Sequence, residues 1–373
     1  MTSQERHEVR YQRRRADRLK RKKERSNNIG GISTAMSFSE LFKAGKKCCL
    51  GVRWKQSVQR FEMHLFSKTA VNVRNIKNKS WIPSKYNSFI LKERGKIRPI
   101  DAPTIQDRQI HKAFTKNVLL PLYVPEMIWN NGASLKGKGF SFSRKMLIKD
   151  LHSYYRHYGT KGSVILLDFK KFFPSAPHKT IYERHNKLFF DKDMKDIANK
   201  IIASNKKDHG LPLGVEPSQV EMIALPSSTD NYLKCQLSLK YVGHYMDDYY
   251  ILVPPCFNAK KLLYLIVQKA SEIGLTVNRS KTKIVSIHKP FKFCKAKYTL
   301  TSSGAVFVNG NRNSVKRARR KIKTFCKKIK SNEMAYEDLM ASLNGIFSYF
   351  QSYNDYNWIL KLKKILYSLL YTS

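Results

Sequence analysis

Apolar residues fall at several different spacings along this chain, and each spacing predicts a different element. Val164-Ile165-Leu166-Leu167 is a short unbroken apolar run, the mark of a strand buried on both faces, and it ends at Asp168. Tyr241-Val242-Gly243-His244 and Tyr249-Tyr250-Ile251-Leu252-Val253 are rich in aromatic and β-branched residues and predict a hairpin with Tyr245-Met246-Asp247-Asp248 at its tip. Phe89 to Ile100 reads as a second hairpin whose turn carries several cations. Helical patterns cover about 106–119, 178–205 and 260–273, and short strands are expected on to about 308. The stretch 131–145 is rich in Gly, Lys and Ser and predicts a loop facing an anion. Near the C-terminus Val315, Ala318, Ile322, Phe325 and Ile329 step by three and four, one apolar stripe on a helix whose other faces carry cations such as Arg319 and Arg320.

Charge changes this picture most. Lys and Arg number 71 against 27 Asp and Glu, a formal net charge of +44 over 373 residues. An excess of that size, spread over the whole chain, points to a polyanionic partner, nucleic acid above all. The 42% of hydrophobic residues rules out a wholly disordered basic protein. Residues 1–30 form a basic arm holding Arg13-Arg14-Arg15, expected to be disordered or to become helical on RNA, with Asn27 to Gly31 as linker. The six cysteines show no CxxC spacing and are read as reduced structural thiols. No signal peptide or transmembrane span is expected, and a cytoplasmic location follows.

Asp247 and Asp248 are adjacent carboxylates that repel one another. They are either an ordinary polar turn or the holders of a divalent cation, since Mg²⁺ favours carboxylate oxygens together with substrate phosphates. If the strand ending at Asp168 lies beside their hairpin, three carboxylates meet at one sheet edge. Two metal ions bridged there serve nucleotidyl transfer, a reaction needing no protein nucleophile. No convincing Ser/His/Asp or Cys/His set competes with this reading.

With these residues in hand the chain resembles the reverse transcriptases. Tyr245-Met246-Asp247-Asp248 matches their YxDD box, and Asp168-Phe169 through Phe172-Phe173 is similar to their first catalytic box. Gly95 to Ile100 resembles the fingers segment, Gly210 to Gln219 the middle box, Leu275 to Lys283 the L-x-x-N-x-x-K-T segment, and Phe293 to Tyr298 the primer grip, all in family order. The resemblance implies an α+β right-hand polymerase: a basic N-terminal arm (1–30), fingers and a palm with an antiparallel sheet (31–300), and a helical thumb (301–373). It implies that Asp168, Asp247, Asp248 and the carbonyl of Phe169 hold two Mg²⁺ ions, with Mn²⁺ as substitute, Asp248 being the supporting ligand. Nucleotide contacts would come from Arg98, with Lys96 or Arg94 as a second cation, from Leu213, Gly214, Ser218 and Gln219, and from Lys281 near the leaving pyrophosphate. Phe173 would be the gate against a ribose 2′-hydroxyl, although it or Phe172 could equally be a core residue.

The middle box departs from the family's common Pro-Gln-Gly, reading Pro212-Leu213-Gly214 with Ser218-Gln219 beyond it, a G-x-x-x-S-Q form similar to diversity-generating retroelement and some defence-associated enzymes. About 70 residues follow the palm, too few for a ribonuclease H domain. The resemblance therefore implies a compact bacterial RNA-directed DNA polymerase. It would copy a cognate structured RNA, held by Arg13, Arg14, Arg15, Arg319 and Arg320, into DNA from dNTPs, with anti-phage defence favoured over diversity generation. Template-independent or protein-primed synthesis, a non-catalytic RNA-binding scaffold, and an accessory protein or second copy all stay open at this point.

Overall fold

The computed structural model of the chain describes residues 1–93, 95–205, 207–353 and 355–371, with Lys96 described in its backbone alone. The basic arm is already a helix, α1 (Ser3–Asn27), closed at its start by a capping box between Thr2 and Glu5. Its C-terminal turn is tied down: Lys22 and Arg25 both pair with Glu126, at 3.1 and 3.0 Å, and Ser26 is its one buried residue. Capping, good helix formers and this anchor give order without RNA. Gly30 and Gly31, both with left-handed φ, turn the chain into the next helix.

Helices α2 (Gly31–Ala35), α3 (Phe38–Cys49), α4 (Gln56–Met63) and α5 (Leu65–Lys77) lead to the ribbon β1 (Asn87–Glu93) and β2 (Lys96–Ala102). Ile90 and Ile97 on it are 67% and 68% exposed, so the ribbon stands away from any core. Next come α6 (Ile105–Phe114), a π-helical turn (Thr115–Leu119) and α7 (Leu120–Tyr123), packed with α2 and α3 around Leu41, Ile110, Phe114 and Leu119. The loop expected over 131–145 ends sooner, because α8 (Phe140–Tyr158) begins at Phe140.

The middle of the chain alternates strands and helices: β3 (Ser163–Leu167), α9 (His178–Leu188), α10 (Lys192–Ala203), α11 (Glu216–Ala224), α12 (Ser227–Asn231), β4 (Val242–Tyr245), β5 (Asp248–Val253), α13 (Ala259–Glu272) and β6 (Lys283–Ser286). The strand order is β4-β5-β3-β6, every pair antiparallel, so β3 is central as its apolar run predicts. Ile165, Leu167, Tyr249, Ile251 and Val253 face one core with α13, while Val164, Tyr250 and Leu252 face another with Leu147, Leu151 and Tyr154 of α8.

A small second sheet, β7 (Phe291–Phe293), β8 (Ala296–Leu300) and β9 (Val306–Gly310), packs on that second face. Because β9 pairs with β8, the helical end region starts at Arg312 and not at 301. It consists of α14 (Arg312–Lys330), α15 (Tyr336–Gln351) and α16 (Tyr356–Tyr371) around a core of their own. Val315, Ala318 and Ile322 are buried as their spacing predicts; further along Cys326 is buried and Phe325 only half-buried, so the stripe drifts with the 3.6-residue turn. The mixed α+β arrangement is the one expected.

Candidate functional site

Register brings the carboxylates together. Leu167 pairs with Tyr249, so one residue further Asp168 falls opposite Asp248. Tyr245 pairs with Asp248 across a two-residue turn, Met246-Asp247, in which Met246 takes a left-handed φ of 55°. Asp248, expected as the supporting carboxylate, is thus the cross-strand neighbour of Asp168, with Asp247 at the tip of the same hairpin. Asp168 and Asp248 share a cleft with Lys281, Phe291 and Lys295.

Asp168 is 7% exposed, and its charge is answered from the segment after α13. Lys281 Nζ donates to both carboxylate oxygens, at 3.0 and 2.9 Å, and Asn278 Nδ2 donates to Oδ1 at 3.0 Å. The backbone closes the same contact, Asn278 N donating to the Asp168 carbonyl at 2.7 Å. Lys281, expected near a leaving pyrophosphate, is therefore an ion-pair partner of Asp168. Its hydrogen bonds to Asp168, and beyond them the charges of Asp168, Asp247 and Asp248, raise its pKa above the ordinary lysine value. Among the described residues no three His, Cys, Asp or Glu side chains form a ready cage for an ion. The chemistry nevertheless fits a hard cation: Asp168 and Asp248 supply carboxylate oxygens in one cleft, with Asp247 beside them on the hairpin and a lysine ammonium already where positive charge is wanted. Such a set suits Mg²⁺, which takes one or two carboxylates and completes its shell with water and substrate phosphate.

Two buried polar networks hold β5 from behind. On one side His244 and Asp230 are fully buried, with Nε2 and Oδ2 3.2 Å apart. Tyr249 Oη donates to Asp230 Oδ1 at 3.0 Å, and the phenol stacks on the imidazole at 4.4 Å. His244 Nδ1 donates to the carbonyl of Met246 at 3.2 Å. A carbonyl only accepts, so in this hydrogen bond Nδ1 is the donor. The Met246-Asp247 turn is thereby tied to the core. On the other side Tyr250 Oη donates to Asp150 Oδ2 at 2.8 Å and Asn130 Nδ2 donates to the same oxygen at 2.9 Å. Gly243 is needed beside it, because a Cβ there would lie 2.6 Å from Tyr250 Oη. Phe140, at the start of α8, stacks on Tyr245 at 4.2 Å, and Lys295 Nζ sits over the Phe140 ring, 4.7 Å from its centre.

The remaining expected contacts divide. Phe169 and Phe172 stack in the core, 5.6 Å apart, and the half-buried Phe173 ring lies edge-on to Phe172 at 6.1 Å. Arg98 is paired with Glu93 at 3.0 Å across the β1–β2 ribbon; Arg94 and the Lys96 side chain lie outside the described residues. Leu213 accepts a hydrogen bond from Asp101 N at 2.9 Å, docking the middle box on β2. Gly214 has φ 112° and would set a Cβ 3.0 Å from the Asp101 carbonyl, so glycine is required there. Gln219 is exposed, and Ser134 Oγ donates to its Oε1 at 3.3 Å. Ser218 is 0% exposed on the inner face of α11, and its hydroxyl has no hydrogen-bond partner among the described residues. Arg13, Arg14, Arg15, Arg319 and Arg320 are all exposed, on α1 and α14. His244, Asp230 and Phe140 were missed because nothing local marks a residue whose partner is 14 or 105 positions away; the L-x-x-N segment could have flagged Asn278.

Two outcomes are expected from this electrostatics. Burial pushes the Asp150 carboxyl up to about 6, above its unfolded value, so the native state binds this proton more tightly. Unfolding free energy should therefore fall as pH rises from about 4 to about 6, by roughly 1.4 kcal/mol per unit of pKa difference, and Asp150→Asn should flatten that slope in urea titrations at stepped pH. Lys281→Met removes the cation whose charge answers Asp168 and, beyond it, Asp247 and Asp248. The rise in melting temperature on adding Mg²⁺ should then exceed that of the parent protein, and an equal rise would show that Lys281 and the ion do not share a place.

Residues 90–297 match the family described as reverse transcriptase (RNA-dependent DNA polymerase). No curated protein matches the chain. Among solved structures the chain is similar to telomerase from Candida albicans in complex with a fragment of telomeric RNA, at 13% identity and a TM-score of 0.47, over 76% of this chain and 56% of that one. This chain thus spans about half the length of that protein's chain. Among the described residues no helix is long and apolar enough to cross a membrane. The family match covers more than half of the chain and holds β2, the middle box, β3 with Asp168 and the β4–β5 hairpin with Asp247 and Asp248: the chain belongs to the reverse transcriptase family.

Proposed function

We propose that the chain is an RNA-directed DNA polymerase that copies a cognate structured RNA. The observation that carries this reading is the meeting of Asp168, at the end of the central strand, with the Asp247-Asp248 hairpin across one ladder, beside a lysine drawn to all three. The three carboxylates and the Phe169 carbonyl would hold two Mg²⁺ ions, with Mn²⁺ as substitute. The ions supply a lowered pKa for the primer 3′-hydroxyl and charge for the leaving pyrophosphate. The protein's own share is positioning. Arg98 can exchange Glu93 for triphosphate oxygens, which a guanidinium takes in bidentate fashion. Phe173 borders the sugar, and Lys281, released from Asp168, offers a cation to the departing phosphates. The exposed arginines of α1 and α14 suit an RNA backbone, which binds through cations and loses affinity as salt rises.

Primer extension on an RNA template with dNTPs and Mg²⁺ tests the reading. Asp168→Asn and Asp247→Asn should each lower extension by about a thousandfold or more, the loss of several kcal/mol of charge stabilisation, while template binding holds within about twofold. Extension unchanged in both variants would sink it. The long cationic helix α1 supports a tightly held, dedicated RNA and, with it, a role in bacterial anti-phage defence. Cells carrying the parent gene and its RNA should then plate phage less efficiently than cells carrying Asp247→Asn; equal plating across a phage panel removes the defence role and leaves the polymerase.

A further inference from the structure

A second hollow, which shares no residue with the carboxylate cleft, lies on the N-terminal helices. Helices α3 and α5 come close at Gly45, where a Cβ would lie 2.5 Å from Leu65 Cδ1. Beside that contact a groove of about 600 Å³ opens between the end of α3 and the joint of α4 with α5. Nucleotidyl transfer at the carboxylates makes no use of it.

Its floor is apolar. Phe42, Lys46 and Leu50 recur every four residues along one side of α3, and Met63, Leu65 and Phe66 border the groove from the α4–α5 joint. Leu65 is buried and Phe42 half-buried, whereas Leu50, Met63 and Phe66 are 60%, 81% and 69% exposed. The rings of Phe42, Phe38 and Phe66 form a row, with 5.8 and 4.8 Å between successive centres, so the aromatic side is fixed by packing. A folded chain rarely leaves that much apolar surface together in water unless something covers it. The rim is cationic. Lys46 and Lys47 are exposed and pair with no carboxylate among the described residues; Lys46 Nζ sits instead 4.8 Å from the centre of the Phe42 ring. Glu62 is the groove's one acid, and Arg53 holds it: Nε donates to both its oxygens at 3.0 Å, and Nη2 donates to Oε1 at 2.8 Å.

Unanswered positive charge around an apolar floor selects the occupant. RNA would find cations here, but Leu50, Met63 and Leu65 offer neither a planar face for a base nor a group to hydrogen-bond it. A bilayer is flat and leaves a groove unfilled. A second copy brings the same net charge of +44 and is repelled. An amphipathic helix meets every requirement. Its apolar side chains, at three- and four-residue steps, enter a groove, and methionine adapts to their shape. Acidic residues flanking that stripe meet the lysines, which sets partner choice and orientation. We propose that this groove docks an acidic amphipathic helix of a partner protein, with Met63 and Phe66 as its apolar anchors and Lys46 and Lys47 against the acidic flank. Exposed aromatic and large apolar anchors of this kind carry most of the binding energy of an interface. Docking there is independent of the polymerase reading.

The test is fluorescence anisotropy of the full chain with a labelled helical peptide that carries Leu at i, i+3, i+4 and i+7 and Glu and Gln elsewhere. A scrambled peptide of the same composition measures what net charge alone attracts. The patterned peptide should bind about tenfold tighter than the scrambled one. Met63→Ser and Phe66→Ser, which change no charge and lie at exposed positions, should each remove that difference at an unchanged melting temperature. Lys46→Glu combined with Lys47→Glu should weaken the Glu-rich peptide and strengthen a Lys-rich one of the same pattern. Equal binding of the patterned and scrambled peptides, or a difference that survives both serine variants, overturns the proposal. So does a loss of affinity in Phe66→Ser for single-stranded RNA or for phosphatidylserine vesicles, or a dimer broken by Met63→Ser, since each gives the groove another occupant. Primer extension should be the same in the parent and the serine variants. Its absence from all of them would remove the polymerase and leave the docking result standing.

Discussion

Like charge held at close range is the constraint on which this molecule is built. Two antiparallel ladders, β3 with β5 and β4 with β5, fix Asp168 opposite Asp248 and put Asp247 one residue away at a tight turn. Mutual repulsion of the carboxylates opposes that arrangement. What offsets it comes from several directions. Lys281 and Asn278 reach in from the segment after α13, and the sheet is packed on both faces. The His244–Asp230–Tyr249 and Tyr250–Asp150–Asn130 networks grip β5 from its two sides. Each buried polar group in them is satisfied by another, so the networks stiffen the strand instead of weakening it.

Elements whose signal is local were legible in the sequence. The apolar run before Asp168 could only be a strand covered on both faces, and it is the sheet's inner strand. The YxDD hairpin, the helix from about 260 and the thumb stripe likewise depend on near neighbours. Legibility failed where distant residues decide. The start of α8 within a Gly- and Lys-rich stretch and the order of α1 both depend on docking against parts far away in the chain. The site divides along the same line. The three aspartates were found because their types and flanks are distinctive. The orientation of Ser218 was not legible, because a motif position carries no sign of which way a helix faces, and it faces inward.

The charge distribution obeys a complementary logic. Acidic residues are few, and many of those described are already committed: Glu126 to Lys22 and Arg25, Glu216 to Lys112, Glu40 to Lys43 and Lys116, Asp168 to Lys281. With 71 cations against 27 acids, most of the positive charge, including the arginine runs of α1 and α14, outnumbers any carboxylate that could answer it. The two ends of the chain form cationic helices while the middle carries the carboxylates, so a nucleic acid strand meets attraction along its length and a negative centre only where the chemistry belongs.

The ribbon β1–β2 has a consequence of a different kind. It has two strands, tied to the middle box at Asp101, and Phe89, Ile90 and Ile97 are more than half exposed. A ribbon of that sort is a template for pairing with another copy, and proteins ordinarily blunt such edges with charge or cover. Here the guard is global: at a net charge of +44 two free molecules repel before their ribbons can meet. Nucleic acid removes that repulsion as it binds. Solubility is then a matter of stoichiometry, since a strand that neutralises the protein without covering its ribbon brings copies together, whereas one seated over the fingers shields the same surface it discharges.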